Sequence, residues 1–295
     1  MENRVCAVIV AYNTGKDIIH TVEAIKNQVE KLLIVDNGSS EETICQLKLY
    51  KNDSNIEVIY NEENKGIAAA LNKAVKYAIS NDFNWLLTLD DDSLATPNMV
   101  SELLDVYNHF DKQTQKKVAF LSPKHVEKFN AKNITNDYFY NVNNIQKVTI
   151  DMTSGNLVKC DIFKAVGVFN ENLFIDFVDH EFCLRINKEG YEIFKVNSIY
   201  LLHSLGNSKD IFLFGKRITV TNHSPLRRYY ITRNRFYCWK IFKDSFPQWV
   251  KEDKKRFINE SIKIILYENN KFKKLKMILR GIYDYKNNKF GKFLC

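Results

Sequence analysis

The stretch Trp85-Leu-Leu-Thr-Leu-Asp-Asp-Asp-Ser93 decides how the rest of the chain is read. Its apolar half is short and bounded by polar residues, the pattern of a strand buried in an α/β sheet. Asp90, Asp91 and Asp92 then fall at the strand's carboxyl end, the rim where open α/β sheets bind ligands. Crowded carboxylates repel unless a cation or solvent offsets them, and a hard divalent ion that also takes phosphate oxygens is the natural counter-charge. Three aspartates alone are equally compatible with a solvated acidic turn.

Upstream of this stretch, strands alternate with helices. Val5 to Tyr12 is a continuous apolar run, and Asp17 to Gln28 has helical spacing through Ile18, Ile19, Val22 and Ile25. Leu32 to Val35 and Ile56 to Tyr60 read as further strands, and a helix follows Gly66 through Ile67, Leu71, Ala74, Val75 and Ala78. This order predicts a largely parallel sheet covered by helices. Downstream, Val118 to Leu121 reads as a strand and the Asn-rich stretch from Lys128 to Asn144 as loop or irregular hairpin. A helix is expected around Glu181 to Lys188, closed by Gly190, and a strand over Ile199 to Leu202 leads to His203. Ser224-Pro225 opens an aromatic, basic helix to about Phe242, and beyond Pro247 the chain is helical and basic. A boundary near residue 206 divides residues 1–206, the α/β part, from residues 207–295, the helical part.

At 295 residues with 45% hydrophobic content, the chain can bury a substantial core, which excludes disorder. A formal charge of +8 points to an anionic partner: nucleotide phosphate, a phospholipid surface or nucleic acid. The six cysteines show no CxxC pair or zinc spacing and read as reduced thiols, with Cys6 and Cys183 in packing roles. The N-terminus lacks signal-peptide character, and no apolar run reaches membrane-spanning length. A cytoplasmic protein, or one on the inner face of the cell membrane, is expected.

Neither GxGxxG nor a Walker lysine loop follows the first strand, which continues Ala11-Tyr12-Asn13. Polar residues cap successive strands instead: Asn13, then Asp36 and Asn37, then Asp90 to Asp92. An Asp at the second strand end can accept the imide N–H of uracil or thymine, and Lys65-Gly66 offers a cation and a helix N-terminus to a nucleotide. Each of these residues also favours turns. Asp176, Asp179 and Glu181 stand beside aromatics just ahead of a helix, where an apolar setting can raise a carboxyl pKa for general-base work. Arg185 can pair with one of them. A helix N-terminus also favours acids through its dipole.

Together, Val-Ile-Val-Ala-Tyr-Asn13, Val-Asp-Asn-Gly-Ser-Ser40, Asn64-Lys-Gly-Ile, Leu-Asp-Asp-Asp-Ser93 and Val178-Asp-His-Glu-Phe-Cys-Leu-Arg185 resemble the inverting family 2 glycosyltransferases of the GT-A fold. The resemblance spans about residues 4 to 240. Thr153-Ser-Gly-Asn156, Phe174-Ile-Asp176 and His223-Ser-Pro-Leu-Arg-Arg-Tyr-Tyr-Ile-Thr-Arg-Asn234 look most like bacterial rhamnosyltransferases of surface polysaccharide synthesis. The resemblance implies an α/β fold with a mostly parallel central sheet flanked by helices, followed by a basic helical extension. It implies a DxD pair in which Asp92 binds Mg²⁺ or Mn²⁺ and Asp90 the ribose or the metal's shell, with His203 completing the metal or diphosphate site. Ala11, Tyr12, Asn13, Asp36, Lys65, Gly66, Asp90 and Asp91 would contact the nucleotide, and Ser154, Gly155, Asp176, Glu181, Arg185, His223 and Arg227 the donor sugar or acceptor. Asp179 matches the catalytic base. Val178 stands where many relatives carry Glu, which makes Asp176 a rival.

The implied activity is transfer of a sugar, rhamnose from dTDP-rhamnose or a sugar from a UDP donor, to a saccharide or lipid-linked acceptor. A haloacid-dehalogenase phosphatase also uses DxD, but normally after its first strand. A basic adaptor for RNA or membrane explains the charge but not the carboxylates, and no nucleic-acid partner is expected. Trp239, Phe242, Phe246 and Trp249 interleave with lysines, as does Lys271-Phe-Lys-Lys-Leu-Lys276, which suits an anionic membrane face; a solvated surface or a homodimer interface is the alternative.

Overall fold

The computed structural model describes residues 3–127, 141, 144–203, 209–213 and 216–294. Among these, contacts divide the chain into two compact units, one of residues 1–171 and 179–204 and the other of residues 172–178 and 205–295. The short piece Asn172–Val178 belongs with the C-terminal residues, a detour that no linear boundary near residue 206 anticipates. Residue 206 itself and most of the Lys128 to Asn144 stretch lie outside the described residues.

The first unit opens as strand β1 (Val5–Ala11), helix α1 (Ile18–Ile25), β2 (Lys31–Asp36), α2 (Glu41–Leu47), β3 (Ile56–Tyr60), α3 (Ile67–Ser80) and β4 (Trp85–Asp90). It continues as β5 (Leu94–Ala95), α4 (Met99–His109), α5 (Lys112–Lys117), β6 (Val118–Glu127), β7 (Ile145–Val148), β8 (Asn156–Lys159), α6 (Cys160–Val166), α7 (Val178–Lys188) and β9 (Glu192–His203). Every residue of β1 and all but the first of β2 are buried, as a sheet covered on both faces requires. Among the described residues these nine strands form one sheet in the order β3-β2-β1-β4-β8-β6-β9-β5, with β7 also on β9.

The parallel expectation holds from β3 through β4. Beyond β4 the sheet is mixed, because β8 runs antiparallel to both β4 and β6, and β5 and β7 run antiparallel to β9. None of the strands β5 to β8 pairs with its neighbour in sequence, so each connection passes over another strand. The core joins β1, β2 and β4 to α1 and α4 through Ile9, Ile34, Leu87, Ile18, Val22 and Leu103. Cys6 and Cys183 are buried, and burial pushes both thiols up, in keeping with packing roles.

The second unit carries the hairpin β10 (Lys209–Leu213) and β11 (Lys216–Val220), then α8 (Pro225–Phe242), α9 (Pro247–Tyr267) and α10 (Lys271–Lys286). Ser224 caps α8, its hydroxyl accepting from the Arg227 N–H. Among the described residues no helix is long and apolar enough to cross a membrane. The aromatics assigned to a membrane face are largely internal. Trp239 and Phe242 are buried, and the Trp239 indole N–H donates to Asp253 at 2.8 Å. The large apolar side chains that α9 and α10 expose are Ile258, Ile262, Ile265, Leu266, Phe272, Leu279 and Tyr283.

Candidate active site

Strand register explains how distant residues meet. β1, β2 and β4 are parallel and end together, with Ala11 opposite Asp36 and Val10 opposite Asp90. The chain turns at Asp91–Asp92 into β5, which pairs with β9 so that Leu94 faces Leu202. That register sets Ser93 beside His203, with Ser93 Oγ 3.0 Å from His203 Nδ1. His203 Nδ1 is also 3.2 Å from Asp92 Oδ1. One ligand atom each from Asp90, Asp92 and His203 lies within 4.8 Å of the others.

At that spacing two full negative charges repel by roughly 3 kcal/mol at an effective dielectric near 20. Burial, together with the neighbouring charges of Asp92, Asp91 and Asp179, pushes the Asp90 carboxyl up to about 6 against the pull of His203. A proton relieves the repulsion in part; a divalent cation relieves it more fully, and two carboxylates with an imidazole are a donor set suited to one. The Asp179 contribution also places this carboxylate within electrostatic reach of the cluster.

Asp91 faces elsewhere. Its carboxylate accepts from the Tyr12 N–H at 2.8 Å and from the Thr14 hydroxyl, and its carbonyl accepts from the Thr21 hydroxyl. It therefore organises the loop after β1, which presents Tyr12 half-exposed at the rim. Asn13 lies on the same loop with φ +58°, its side chain accepting from the Ser40 N–H. Asp36 is buried, with Oδ2 3.3 Å from the Ser39 N–H and Oδ1 buried without a hydrogen-bond partner. A buried carboxylate oxygen of that kind calls for a donor. Lys65 is exposed, its N–H held by Asn37, and Gly66 has φ +88° at the start of α3, a conformation that favours glycine.

Asp179 sits in the first turn of α7. The apolar setting predicts a raised pKa, and the structure corrects this. Burial does raise the carboxyl, but the charge of His180 and its ring and backbone N–H groups, at 2.9 and 2.8 Å, hold it below the usual range. Glu181 and Arg185 face each other rather than a ligand. Glu181 is buried and both its oxygens accept from Arg185, which also donates to the Val166 and Val168 carbonyls.

Ser154 is likewise internal, its hydroxyl accepting from the Asp90 N–H at 3.0 Å and lying 2.8 Å from Ser93 Oγ. Gly155, at φ +86°, has no room for a side chain: a Cβ would stand 2.9 Å from both Leu201 and Pro123. Both residues brace the acidic turn. In the second unit, Arg227 makes a bidentate contact to Asp176 at 3.0 to 3.3 Å. Burial and then the charges of Arg227 and Arg228 push His223 down to about 4.

Sequence reasoning missed the supporting residues Ser93, Thr14 and His125. His125 Nε2 donates to the Ser154 carbonyl at 2.8 Å, and its ring stands 6.3 Å from that of His203. Ser93 was legible as the residue ending the acidic stretch. Nothing local in the sequence joins His125 to His203, because only the β6–β9 pairing does so.

Comparison with known proteins agrees with this geometry. dTDP-rhamnosyl transferase RfbF of Shigella flexneri is 28% identical over 257 residues, covering 80% of each chain. The solved structure of S. aureus TarS 1-349 in complex with UDP-GlcNAc superposes with a TM-score of 0.61 at 14% identity, over 97% of this chain and 81% of that one. GalNAc-T7 with UDP, GalNAc and Mn²⁺ gives 0.59 at 12% identity, over 97% of this chain and 58% of that one. At such identities these two show the fold, the GT-A arrangement of a curled α/β sheet with flanking helices. The model of glycosyl transferase family 2 matches residues 6–167, more than half of the sequence, and the chain belongs to that family.

Proposed function

We propose that this glycosyltransferase moves rhamnose from dTDP-rhamnose to a hydroxyl of a saccharide or lipid-linked acceptor, inverting the anomeric centre. The observation that carries the reading is the convergence of Asp90, Asp92 and His203 on one rim with Asp36 and Asp179 nearby in the same unit. The choice of rhamnose and thymidine rests on the likeness to the dTDP-rhamnosyl transferase of Shigella flexneri. A UDP-sugar donor is the second reading, favoured by the nucleotides in the two structural neighbours.

Asp90, Asp92 and His203 would hold Mg²⁺ or Mn²⁺, and their excess negative charge fits such an ion. Bound there, it supplies Lewis-acid neutralisation of the departing diphosphate. Asp36 accepts the imide N–H of the base through its buried Oδ1, Ala11, Tyr12 and Asn13 line the nucleoside, and Lys65 and Gly66 lie near it. Asp179, ionised at neutral pH, takes the acceptor hydroxyl's proton as that oxygen attacks the anomeric carbon. The bond from that carbon to the diphosphate oxygen breaks on the opposite face, and the nucleoside diphosphate leaves. Asp176, His223 and Arg227 are assigned to the donor sugar or acceptor.

The acceptor waits at an anionic membrane face met by α9 and α10. Residues 247–294 carry thirteen Lys and Arg against five Asp and Glu, and three of those acids, Asp253, Glu268 and Asp284, are buried. Exposed isoleucines, leucines, Phe272 and Tyr283 among lysines form the apolar component such binding needs. Flotation with anionic vesicles tests this: protein remaining wholly soluble at low salt overturns it, and a concentration-dependent dimer mass would assign the face to a second copy.

The donor is tested by thermal shift with Mn²⁺ or Mg²⁺ against a panel of nucleotide sugars. The largest stabilisation is expected with dTDP-rhamnose, and a larger one with a UDP-sugar moves the assignment to the second reading. NMR of the product's anomeric proton tests inversion.

A further inference from the structure

Phe174, Asp176 and Phe177 have φ of +64°, +61° and +65°, so three of four successive residues occupy the left-handed region and none is glycine. For bulky side chains this conformation is a genuine outlier, and it persists only where surrounding contacts over-determine it. Those contacts come from two adjacent, fully buried residues of α8. The Asn234 amide nitrogen lies 2.8, 2.8 and 2.9 Å from the carbonyl oxygens of Leu173, Ile175 and Asp176. Arg233 donates to Asn172 and Leu173 carbonyls at 3.2 and 3.1 Å and to Gly291 at 2.8 Å, and its Nε donates to the Asn234 side-chain oxygen at 3.0 Å. Its guanidinium rests against the rings of Tyr229, Tyr230 and Phe290 at 5.2 to 5.5 Å. Phe174 stacks on Tyr230, and Phe177 lies against the Arg235 guanidinium.

The geometry points to Arg233 and Asn234 as positioning residues that clamp Asn172–Phe177 in a strained shape and so aim the Asp176 carboxylate. A hydrogen-bonded clasp on four backbone carbonyls within five residues, 172, 173, 175 and 176, is more than helix packing needs. Each of these hydrogen bonds is to main chain, so together they set backbone direction. The inference rests on Asp176 as a contact of the donor sugar or acceptor, and its experiment keeps the two questions apart.

In the full chain, Asn234→Ala and Arg233→Lys are compared with Ile278→Ala, a buried α10 residue outside the site that controls for lost stability in the same unit. Readouts are the initial rate of dTDP release from dTDP-rhamnose, the donor KM, and amide exchange across residues 172–178. Asn234→Ala is expected to lower kcat 10- to 100-fold with KM within twofold and to speed exchange across 172–178 at least tenfold. Arg233→Lys, which retains a cation, should lower kcat 3- to 10-fold. Turnover within twofold of wild type, unchanged exchange across the loop, or an equal loss in the Ile278→Ala control each overturns the clasp. Asp176→Asn in the intact clasp judges that contact separately: near-normal turnover there refutes the Asp176 assignment while leaving the exchange result to decide whether the loop is clamped.

Discussion

The strand rim and the C-terminal helices both hold charge away from water, yet they do so in opposite ways. In the helical unit each buried acid faces an opposite charge: Glu268 accepts from Arg228 at 2.6 Å and from Lys274 at 2.8 Å, Asp253 meets Arg235 at 3.0 Å, and Asp284 meets Arg280 at 3.0 Å. At the rim, carboxylates of one sign gather around a single histidine. Balanced ion pairs are architecture, since removing one partner strands the other. A one-sided cluster is complete only with a ligand, and it is tolerated because binding supplies the missing charge.

The sharpest way to break this contrast is Asp179→Asn. General bases contribute about 10²- to 10⁴-fold, so turnover should fall by that factor, roughly 3 to 5 kcal/mol of transition-state stabilisation, while donor affinity and melting temperature stay near wild type. Steady-state kinetics with calorimetric titration of donor checks it, and if Asp176→Asn abolishes turnover while Asp179→Asn does not, the base is Asp176. Glu268→Gln tests the other side. It leaves Arg228 and Lys274 buried against a neutral amide that still accepts one hydrogen bond, so about 3 kcal/mol of folding stability should be lost in urea denaturation. Its donor affinity should remain unchanged. A weakened donor site would mean that the helical charges serve binding as well.

The fold was legible where apolar runs were long. β1, β2, β3, α3, β4 and α8 follow directly from continuous or helically spaced apolar residues, and Ser224-Pro225 marked the start of α8. The mixed half of the sheet was not, because β7 and β8 are four residues each and their partners lie far along the chain. Asp90, Asp92 and His203 were legible as residue types at strand ends. The protein partners of Glu181, Arg185 and Ser154 were not legible, since a polar side chain's sequence neighbourhood does not reveal whether its partner is a ligand or another buried group. The clasp of Arg233 and Asn234 was invisible for the same reason: its partners are backbone carbonyls some sixty residues earlier.

A subtler separation of the two regions comes from pH. Asp90 holds its proton up to about 6 in the metal-free protein, its pKa raised by burial and like charges. A cation binds the ionised form, so below that pH it must displace a proton, and apparent Mn²⁺ affinity should fall by up to tenfold for each further unit. Above it the affinity should level off. Mn²⁺-dependent thermal shift between pH 5 and 8 checks this. His223, depressed to about 4 from 6.5, works with the opposite starting charge: it is neutral in the folded unit, so its stabilising contribution is present above pH 6.5 and is lost as pH falls toward 4.

The smallest effect belongs to the middle aspartate, and it bears most directly on how the rim is divided. Asp91 stands between two metal-ligand candidates in sequence, yet its carboxylate is turned onto Tyr12 and Thr14. If the three aspartates act as one acidic patch, Asp91→Asn should weaken Mn²⁺ as much as Asp92→Asn does. If the structure's division holds, Asp91→Asn removes only the charge from a grip on the β1 loop, worth about 1 kcal/mol or roughly fivefold in nucleotide affinity, because both hydrogen bonds go to one oxygen that the amide carbonyl can replace. Mn²⁺ affinity measured without nucleotide should then change less than twofold. Titrating both variants with Mn²⁺ alone and then with dTDP separates loop order from metal ligation, two roles that adjacent identical residues hold because a strand end turns successive side chains to different faces.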